Sequence, residues 1–590
     1  MSRLEPSRPR WVWDDTARWY PELLAAGVRV DRCVDLRLCH AILRASALTA
    51  DSALATAPSN SWDAATPTPT PAPAAAGAPG GGPPGAPAPG GSILAARIPH
   101  TTLFDDLDAP QPERPAHPIA DFDAPGESRT SRSPQLDAGG TREVQEFRAQ
   151  REAARSATDP SRIALLLAAE SAGALAAAEM QHAGLPWSRD HHDALLTELL
   201  GPRPTAPGAL PPKLDELRAA IRHHLNDPTA NPDSPVELLK SLRRAGIAAT
   251  STRSWELENI VHPAIPPLLD YKKRSRLLTA NGWNWLDTWV QDGRFHPHYL
   301  PGGVVTGRWA AEGGGALQLP KQVRGAVRAD EGWLLVVADA AQLEPRILAA
   351  LAGDRAMAAA GRGRDLYDGI VASGAVDTRA HAKLGMLGAM YGGTTGESGR
   401  MLPRLARAYP AAIAFVEDAA RAGEAGARVS TRLGRTSPRP SDDWLDLRDE
   451  AASDAGTEAV RARARSAARS WGRFTRNFVV QGTAAEWALC WLAGIRRRLW
   501  ALPPAHSDAH PGAHPDTHRG THPDARLEHR PHLAFFLHDE VMVHTPAAQA
   551  DAVAAALRES AAEAGRLNFG EAPVEFPVTV AVVDRYDRAK

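Results

Sequence analysis

The chain has 590 residues and a formal net charge of −2, so its length predicts two or more domains, while its charge supplies no global attraction for nucleic acid. Three cysteines, Cys33, Cys39 and Cys490, with no Cys-x-x-Cys pair, point to neither a disulfide framework nor a zinc site, and they fit a reducing cytoplasm. No apolar signal core precedes Trp11 and no stretch approaches the ~20 apolar residues of a membrane span, so the expectation is a soluble, cytoplasmic protein with no membrane partner.

Residues 1–50 contain Trp11-Val-Trp13, Trp19-Tyr-Pro-Glu-Leu-Leu-Ala-Ala-Gly27 and Val34-Asp-Leu-Arg-Leu-Cys-His-Ala-Ile-Leu43, a strand and helix series too short to be a domain by itself. Asp14, Asp15 and Asp35 are its available acids, with helix capping and surface positions as their expected roles. Residues 51–140 turn to Pro, Ala, Gly and Thr, a low-complexity composition that offers little apolar area to offset chain entropy, and are expected to be a disordered linker. Asp105, Asp106 and Asp108 within it read as a solvated acidic run. From 141 to 300 the pattern is helical, with segments at Ile163–Gly184 and Lys213–Leu225. A turn-rich break at 226–235 follows, and Ser234-Pro-Val-Glu reads as a capped helix start. Tyr271-Lys-Lys-Arg-Ser-Arg276 is a basic cluster of the kind that contacts phosphates without reading sequence.

Chemistry-bearing residues concentrate in 301–590. Thr306-Gly-Arg308 comes first; alone, it says almost nothing. The run Leu334–Ala338 is short, apolar and rich in valine, which suits a buried strand, and it delivers a carboxylate, Asp339. Leu343, Ile347, Leu348 and Leu351 then recur at helical spacing. Arg379, Lys383, Leu387 and Tyr391 stand four apart and form one helical stripe, cationic at its N-terminal end and aromatic at the other. Arg473, Asn477 and Gln481 make a second such stripe, ahead of an apolar helix at 487–499. Residues 437–457 read as a polar loop. In 500–531, His506, His510, His514, His518 and His522 are also four apart, but Pro511, Gly512, Pro515, Gly520 and Pro523 forbid a stable helix, so this too is a loop. In Leu533–His544 two apolar runs flank His538, Asp539 and Glu540, a β-hairpin with acids at its tip. If it pairs beside the Asp339 strand, Asp339 and Asp539 converge as hard oxygen ligands suited to a pair of Mg²⁺ ions.

In this order, the Asp339 stretch, the Arg379–Tyr391 stripe and the His-Asp-Glu hairpin resemble motifs A, B and C of the family-A DNA polymerases. The chain as a whole resembles the short bacterial bifunctional 3′-5′ exonuclease/DNA polymerase type. The resemblance implies an α+β right-hand fold: an antiparallel-sheet palm with helical fingers over 301–590, and a thumb within 141–300. It also implies a truncated α/β exonuclease-like remnant over 1–50. That remnant lacks the first strand with its Asp-x-Glu, so no proofreading is expected.

The same resemblance implies templated DNA synthesis, in replication or repair, with two Mg²⁺ ions on Asp339 and Asp539, supported by Glu540. Arg379, Lys383, Leu387, Tyr391, Gln342, Glu344 and His538 would meet the deoxynucleoside triphosphate, with Glu344 as a steric gate against a ribose 2′-hydroxyl. Thr306, Arg308, Arg346, Arg473, Asn477 and Gln481 would meet the primer-template DNA. A monomer acting at the nucleoid is implied. Ala340 and Ala341 depart from the family's Tyr and Ser, Pro345 from an aliphatic residue, and Leu387 from an aromatic. A catalytically weak or inactive polymerase fold that only binds DNA is the alternative. A single-subunit RNA polymerase is disfavoured by Glu344 and Glu540.

Overall fold

The structure, a computed structural model, describes residues 9–63, 141–206, 208–393, 396–454, 456–504, 526–537 and 539–589. Most of the expected linker, with Asp105, Asp106 and Asp108, lies outside these residues, as do the five spaced histidines and His538. Near the N-terminus, strand β1 (Arg10–Trp13) pairs in parallel with β2 (Arg32–Asp35) across helix α1 (Thr16–Ala25), and α2 (Leu36–Ala45) follows. Asp15 caps α1, accepting from the Ala17 amide at 2.9 Å. Asp35 caps α2, accepting from the Leu38 amide at 2.9 Å and from the Thr16 amide at 2.8 Å. Asp14 accepts from Arg18 at 2.8 Å. This ordered region reaches beyond residue 50, into what composition marks as linker. Trp62 is buried there, and Asp63 accepts from Arg44 at 3.0 Å, so one indole and one ion pair anchor the segment.

The two expected helices before residue 230 are found as α3 (Pro160–Ala183) and Pro212–His224, and Ser234 caps Pro235–Arg244. Next comes α4 (Ile265–Asn281), which carries Lys272, Lys273 and Arg276. The remainder follows as β3 (Trp333–Ala340), α5 (Leu343–Ala352), α6 (Leu366–Ala372), α7 (Arg379–Tyr391), α8 (Pro410–Glu424), α9 (Asp442–Ala452) and α10 (Glu458–Ala501). The hairpin β4 (His532–Leu537) and β5 (Glu540–Pro546), helix α11 (Ala550–Phe569) and β6 (Val578–Val583) complete it. The sheet has the order β6-β3-β5-β4 and is antiparallel throughout, with the hairpin beside the Asp339 strand. It is the expected α+β arrangement.

Helix α10 is the spine. It spans 44 residues and joins the Arg473–Gln481 stripe to the apolar segment without a break. Its N-terminal half packs on α8, where Thr475 donates to the Ala419 carbonyl at 2.8 Å. Its C-terminal half packs on α11, where the buried Trp491 indole donates to the Leu557 carbonyl at 3.0 Å. Further along, Arg496 and Arg29 both pair with the buried Glu179 of α3, which also accepts from Tyr20 at 2.6 Å, so the β1–α2 segment is riveted to the main body.

Two expectations need correction. Residues 437–457 are not all loop: Ser441 caps α9, and Trp444 is buried, which repays ordering that helix. Among the described residues, two helices are long and apolar enough to cross a membrane, α3 and α10. Their apolar windows are 67% and 89% buried inside the protein, which identifies both as core helices.

Candidate active site

Asp339 lies one residue before the end of β3, and the ladder register places Glu540 of β5 and Thr579 of β6 directly opposite it. Opposed residues on antiparallel strands share a face. The β4–β5 turn brings Asp539 alongside, its carbonyl accepting from the Ala340 amide at 2.9 Å. Burial first, then the Asp339 charge, push the Asp539 carboxyl up to about 7, and Arg308 opposes the shift. On that shared face Glu540 is 3% exposed and accepts from the Tyr586 hydroxyl, so it is covered and does not line the cleft onto which Asp339 and Asp539 open.

That cleft measures about 2000 Å³. Its walls gather Thr306, Arg308, Gln342, Glu344, Arg379, Lys383, Leu387, Tyr391, Arg473, Asn477 and Gln481 around Asp339 and Asp539. The basic row of α4, Lys272, Lys273 and Arg276, lines it as well. Stripes that are only helical periodicity in the sequence thus face one shared space.

Within it Glu344 is held at both oxygens. Arg308 pairs with one, and the Tyr391 hydroxyl donates to the other at 2.8 Å. Burial and then the Glu344 charge push the Tyr391 phenol upward, so it remains a donor. Gln342 sits in the left-handed region at φ 49°, a strained conformation for a residue with a side chain, and its amide donates to Asp365 at 3.0 Å. Arg379 donates to the same Asp365 at 2.8 Å. Gly307, between Thr306 and Arg308, sits in the left-handed region at φ 84°, and a Cβ there would press on the Arg435 guanidinium.

One predicted contact is relocated. Arg346, expected at the DNA, is 2% exposed and absent from the cleft. Its guanidinium donates to the carbonyls of Ala341 at 3.0 Å, Gly361 at 2.9 Å, Arg364 at 2.8 Å and Glu575 at 3.1 Å. It ties α5 to the surrounding loops, because helical phase turns position 346 away from the face that carries Glu344. His538 lies outside the described residues.

The model of the family described as "DNA polymerase family A" matches residues 209–587. The chain belongs to this family. Among curated family-A relatives, the thermostable DNA polymerase I of Thermus thermophilus is 26% identical over 275 residues, covering 41% of this chain and 30% of that protein. The DNA polymerase I of Chloroflexus aurantiacus is 25% identical over 292 residues, covering 44% and 28% respectively. The chain therefore aligns with less than a third of the length of these relatives. A solved structure, the POL domain of Pol1 from M. smegmatis in complex with DNA primer-template and dNTP, superimposes with a TM-score of 0.57 at 20% identity. It covers 76% of this chain and 75% of that one, and it shows the shared fold.

Members of family A use divalent metal ions, and the donor set here can be tested against that need. Among the described residues no group of three or more His, Cys, Asp or Glu side chains is arranged to hold a metal. Mg²⁺, however, keeps several waters and binds through one or two carboxylates plus substrate phosphates. Asp339 and Asp539 meet that requirement: burial and then the Asp339 charge raise the Asp539 carboxyl, and a divalent cation between them offsets both costs. The residues present therefore fit the ion.

The family-A site also contains residues that sequence reasoning passed over. Asp365 caps α6, accepting from the Tyr367 amide at 2.8 Å, and links Gln342 to Arg379. An Asp immediately before the apolar start of a helix was the available signal. Tyr367 lines the cleft with the Arg379 guanidinium 5.5 Å from its ring centre. Thr579, a small polar residue in an ordinary strand, carries no sequence signal at all.

Proposed function

We propose that this family-A protein is a DNA-directed DNA polymerase, adding deoxynucleotides to a primer 3′-hydroxyl in replication or repair in the cytoplasm. The observation that carries the reading is the shared cleft: two converging carboxylates, a cationic helix stripe and a carboxylate gate face one volume. Asp339 and Asp539 would hold two Mg²⁺ ions, which supply charge neutralisation at the triphosphate and a lowered pKa at the primer hydroxyl.

The chain's own groups do the positioning. Lys383 and Arg379 bind the triphosphate oxygens, so the reacting phosphorus is held in place before reaction. Arg379 is more than half exposed and already shares its charge with Asp365, so it pivots between a protein and a ligand partner. Glu344, fixed by Arg308 and Tyr391, occupies the space a 2′-hydroxyl would need and selects deoxyribose. Thr306, Arg308, Arg473, Asn477 and Gln481 meet the primer-template duplex, and the α4 lysines meet its phosphates. The β1–α2 segment acts as a structural brace with no proofreading, since Asp14, Asp15 and Asp35 are engaged in caps and ion pairs.

Primer extension on a templated oligonucleotide with Mg²⁺ tests this. The expected result is templated extension with deoxynucleotides and little with ribonucleotides. Tight primer-template binding with no extension by either substrate would overturn the enzymatic reading in favour of a retired DNA-binding fold.

A further inference from the structure

The turn that carries Thr306 and Arg308 runs from Gly302 to Arg308. It is closed by the Gly307 amide donating to the Val304 carbonyl at 2.8 Å and the Val304 amide donating to the Arg308 carbonyl at 3.2 Å. Gly302 and Gly307 are both left-handed, at φ 65° and 84°. A Cβ on Gly302 would come within 3.1 Å of a Glu170 carboxylate oxygen and 3.2 Å of the Leu38 side chain, and one on Gly307 within 2.7 Å of the Arg435 Cζ. Glu170, fully buried on α3, pairs with that same Arg435. One buried ion pair therefore touches both ends of the turn.

Arg435 sits in a loop between α8 and α9 that is supported from two sides. On one side lies α10: the Leu433 amide donates to the buried Glu486 at 2.9 Å and the Arg432 amide to the Thr483 hydroxyl at 3.1 Å. On the other lies the N-terminal segment, just past α2. The Ser46 hydroxyl donates to the Gly434 carbonyl at 2.7 Å, the Ala47 amide to the Thr436 hydroxyl at 2.8 Å, and Arg428 to the Ala45 carbonyl. Gly434 is left-handed at φ 108°, and a Cβ there would come within 3.0 Å of the Leu48 Cγ. Three consecutive residues, Ser46, Ala47 and Leu48, thus seat on the residues immediately before and after Arg435.

The contacts lead to the gate. Close-packed interiors transmit small displacements, so a shift of the Arg435 loop passes to the glycine turn and on to Arg308. Arg308 holds one oxygen of Glu344, and a carboxylate that excludes a 2′-hydroxyl by occupying its space depends on being held in place.

We propose that Arg435 is a positioning residue for sugar selection, and that the N-terminal segment sets it through Ser46, Ala47 and Leu48. The proposal rests on the polymerase reading and deepens it. The segment touches neither substrate nor metal acids; it acts by fixing the wall that carries Arg308.

The test is single-nucleotide incorporation by the full chain on a primer-template with Mg²⁺, with matched deoxy- and ribonucleotides. Wild type is compared with the double variant Ser46→Ala, Leu48→Ala and with Arg435→Lys, which keeps a cation for Glu170 but not the planar guanidinium that lies over Gly307. The readout is the ratio of the two kcat/KM values. A merely structural role lowers the folded fraction and both rates together, leaving that ratio unmoved. The expected result is a ratio lowered about fivefold in both variants, the scale of one lost hydrogen bond. The change should appear as a rise in ribonucleotide kcat/KM, with the deoxynucleotide value close to wild type.

The wild-type ratio in both variants would overturn the inference and leave the polymerase reading standing, as would a wild type that extends with both sugars alike. A ratio that falls only in Arg435→Lys would overturn the part given to the N-terminal segment. A wild type that extends with neither nucleotide would overturn both readings.

Discussion

Two strands of this chain deliver an aspartate to the start of a helix. β2 ends at Asp35 and runs into α2; β3 carries Asp339 and runs through Gln342 into α5. Asp35 is fully buried, its two oxygens taken by the Thr16 and Leu38 amides, and burial pushes its carboxyl up to about 6. Asp339 opens on a cleft of about 2000 Å³ opposite a second acid. The local grammar is the same. What separates a structural acid from a chemical one is what the rest of the chain packs over it: α3 closes over Asp35, with the Ser171 hydroxyl accepting from its amide at 3.2 Å, whereas the β4–β5 turn supplies Asp539 to Asp339 and leaves the space in front open.

Exchanging the two acids' fates by mutation is the sharpest way to break this contrast. Asp339→Asn should reduce primer extension by at least about a thousandfold with the thermal transition preserved. Asp35→Ala should leave the rate per folded molecule within about twofold while lowering stability by about 1 to 2 kcal/mol, the usual cost of a lost cap. Comparable loss of extension in the Asp35 variant would mean that the N-terminal segment takes part in the chemistry.

The N-terminal brace has its own critical residue. Glu179→Ala leaves Arg29 and Arg496 buried without a counter-charge, for a cost of about 3 to 5 kcal/mol in chemical denaturation. A loss below about 1 kcal/mol would show the network to be dispensable.

The cleft acids should behave in the opposite sense. Asp539 has its folded-state carboxyl raised to about 7 from an ordinary carboxylate value near 4. Between those values the folded protein holds a proton that the unfolded chain releases, so this group's penalty is absent below about pH 4 and complete above about pH 7. In metal-free protein Asp539→Asn should therefore raise the melting temperature by a few degrees at pH 8 and leave it unchanged at pH 4. A destabilised variant at pH 8 would show that Asp539 has compensating partners.

The smallest effect concerns the gate. Tyr391→Phe removes one hydrogen bond to Glu344 while Arg308 still holds the other oxygen. At about 1 kcal/mol for such a bond, discrimination between deoxy- and ribonucleotides should fall about fivefold in single-nucleotide incorporation. An unchanged ratio would mean that Arg308 alone fixes the carboxylate.

The sequence by itself determined whatever depends on near neighbours. Periodicity disclosed α7 and the hairpin around Asp539, capping chemistry disclosed the start at Ser234, and the ordered motifs disclosed the family and most of the cleft residues. The helix at 442–452 escaped because what anchors it is the burial of Trp444, whose ring lies against Gly426, and the polar composition around it gives no hint of that. Arg346 was misread for a related reason: its place in a motif is a sequence fact, but which way it faces depends on helical phase and on carbonyls as remote as that of Glu575. Only the tertiary structure decided that α3 would close over Asp35 through Ser171, and that Glu344 would be shared by Arg308 and Tyr391. Each outcome turns on contacts between segments tens to hundreds of residues apart, and burial and electrostatics act through space, where sequence spacing carries no information.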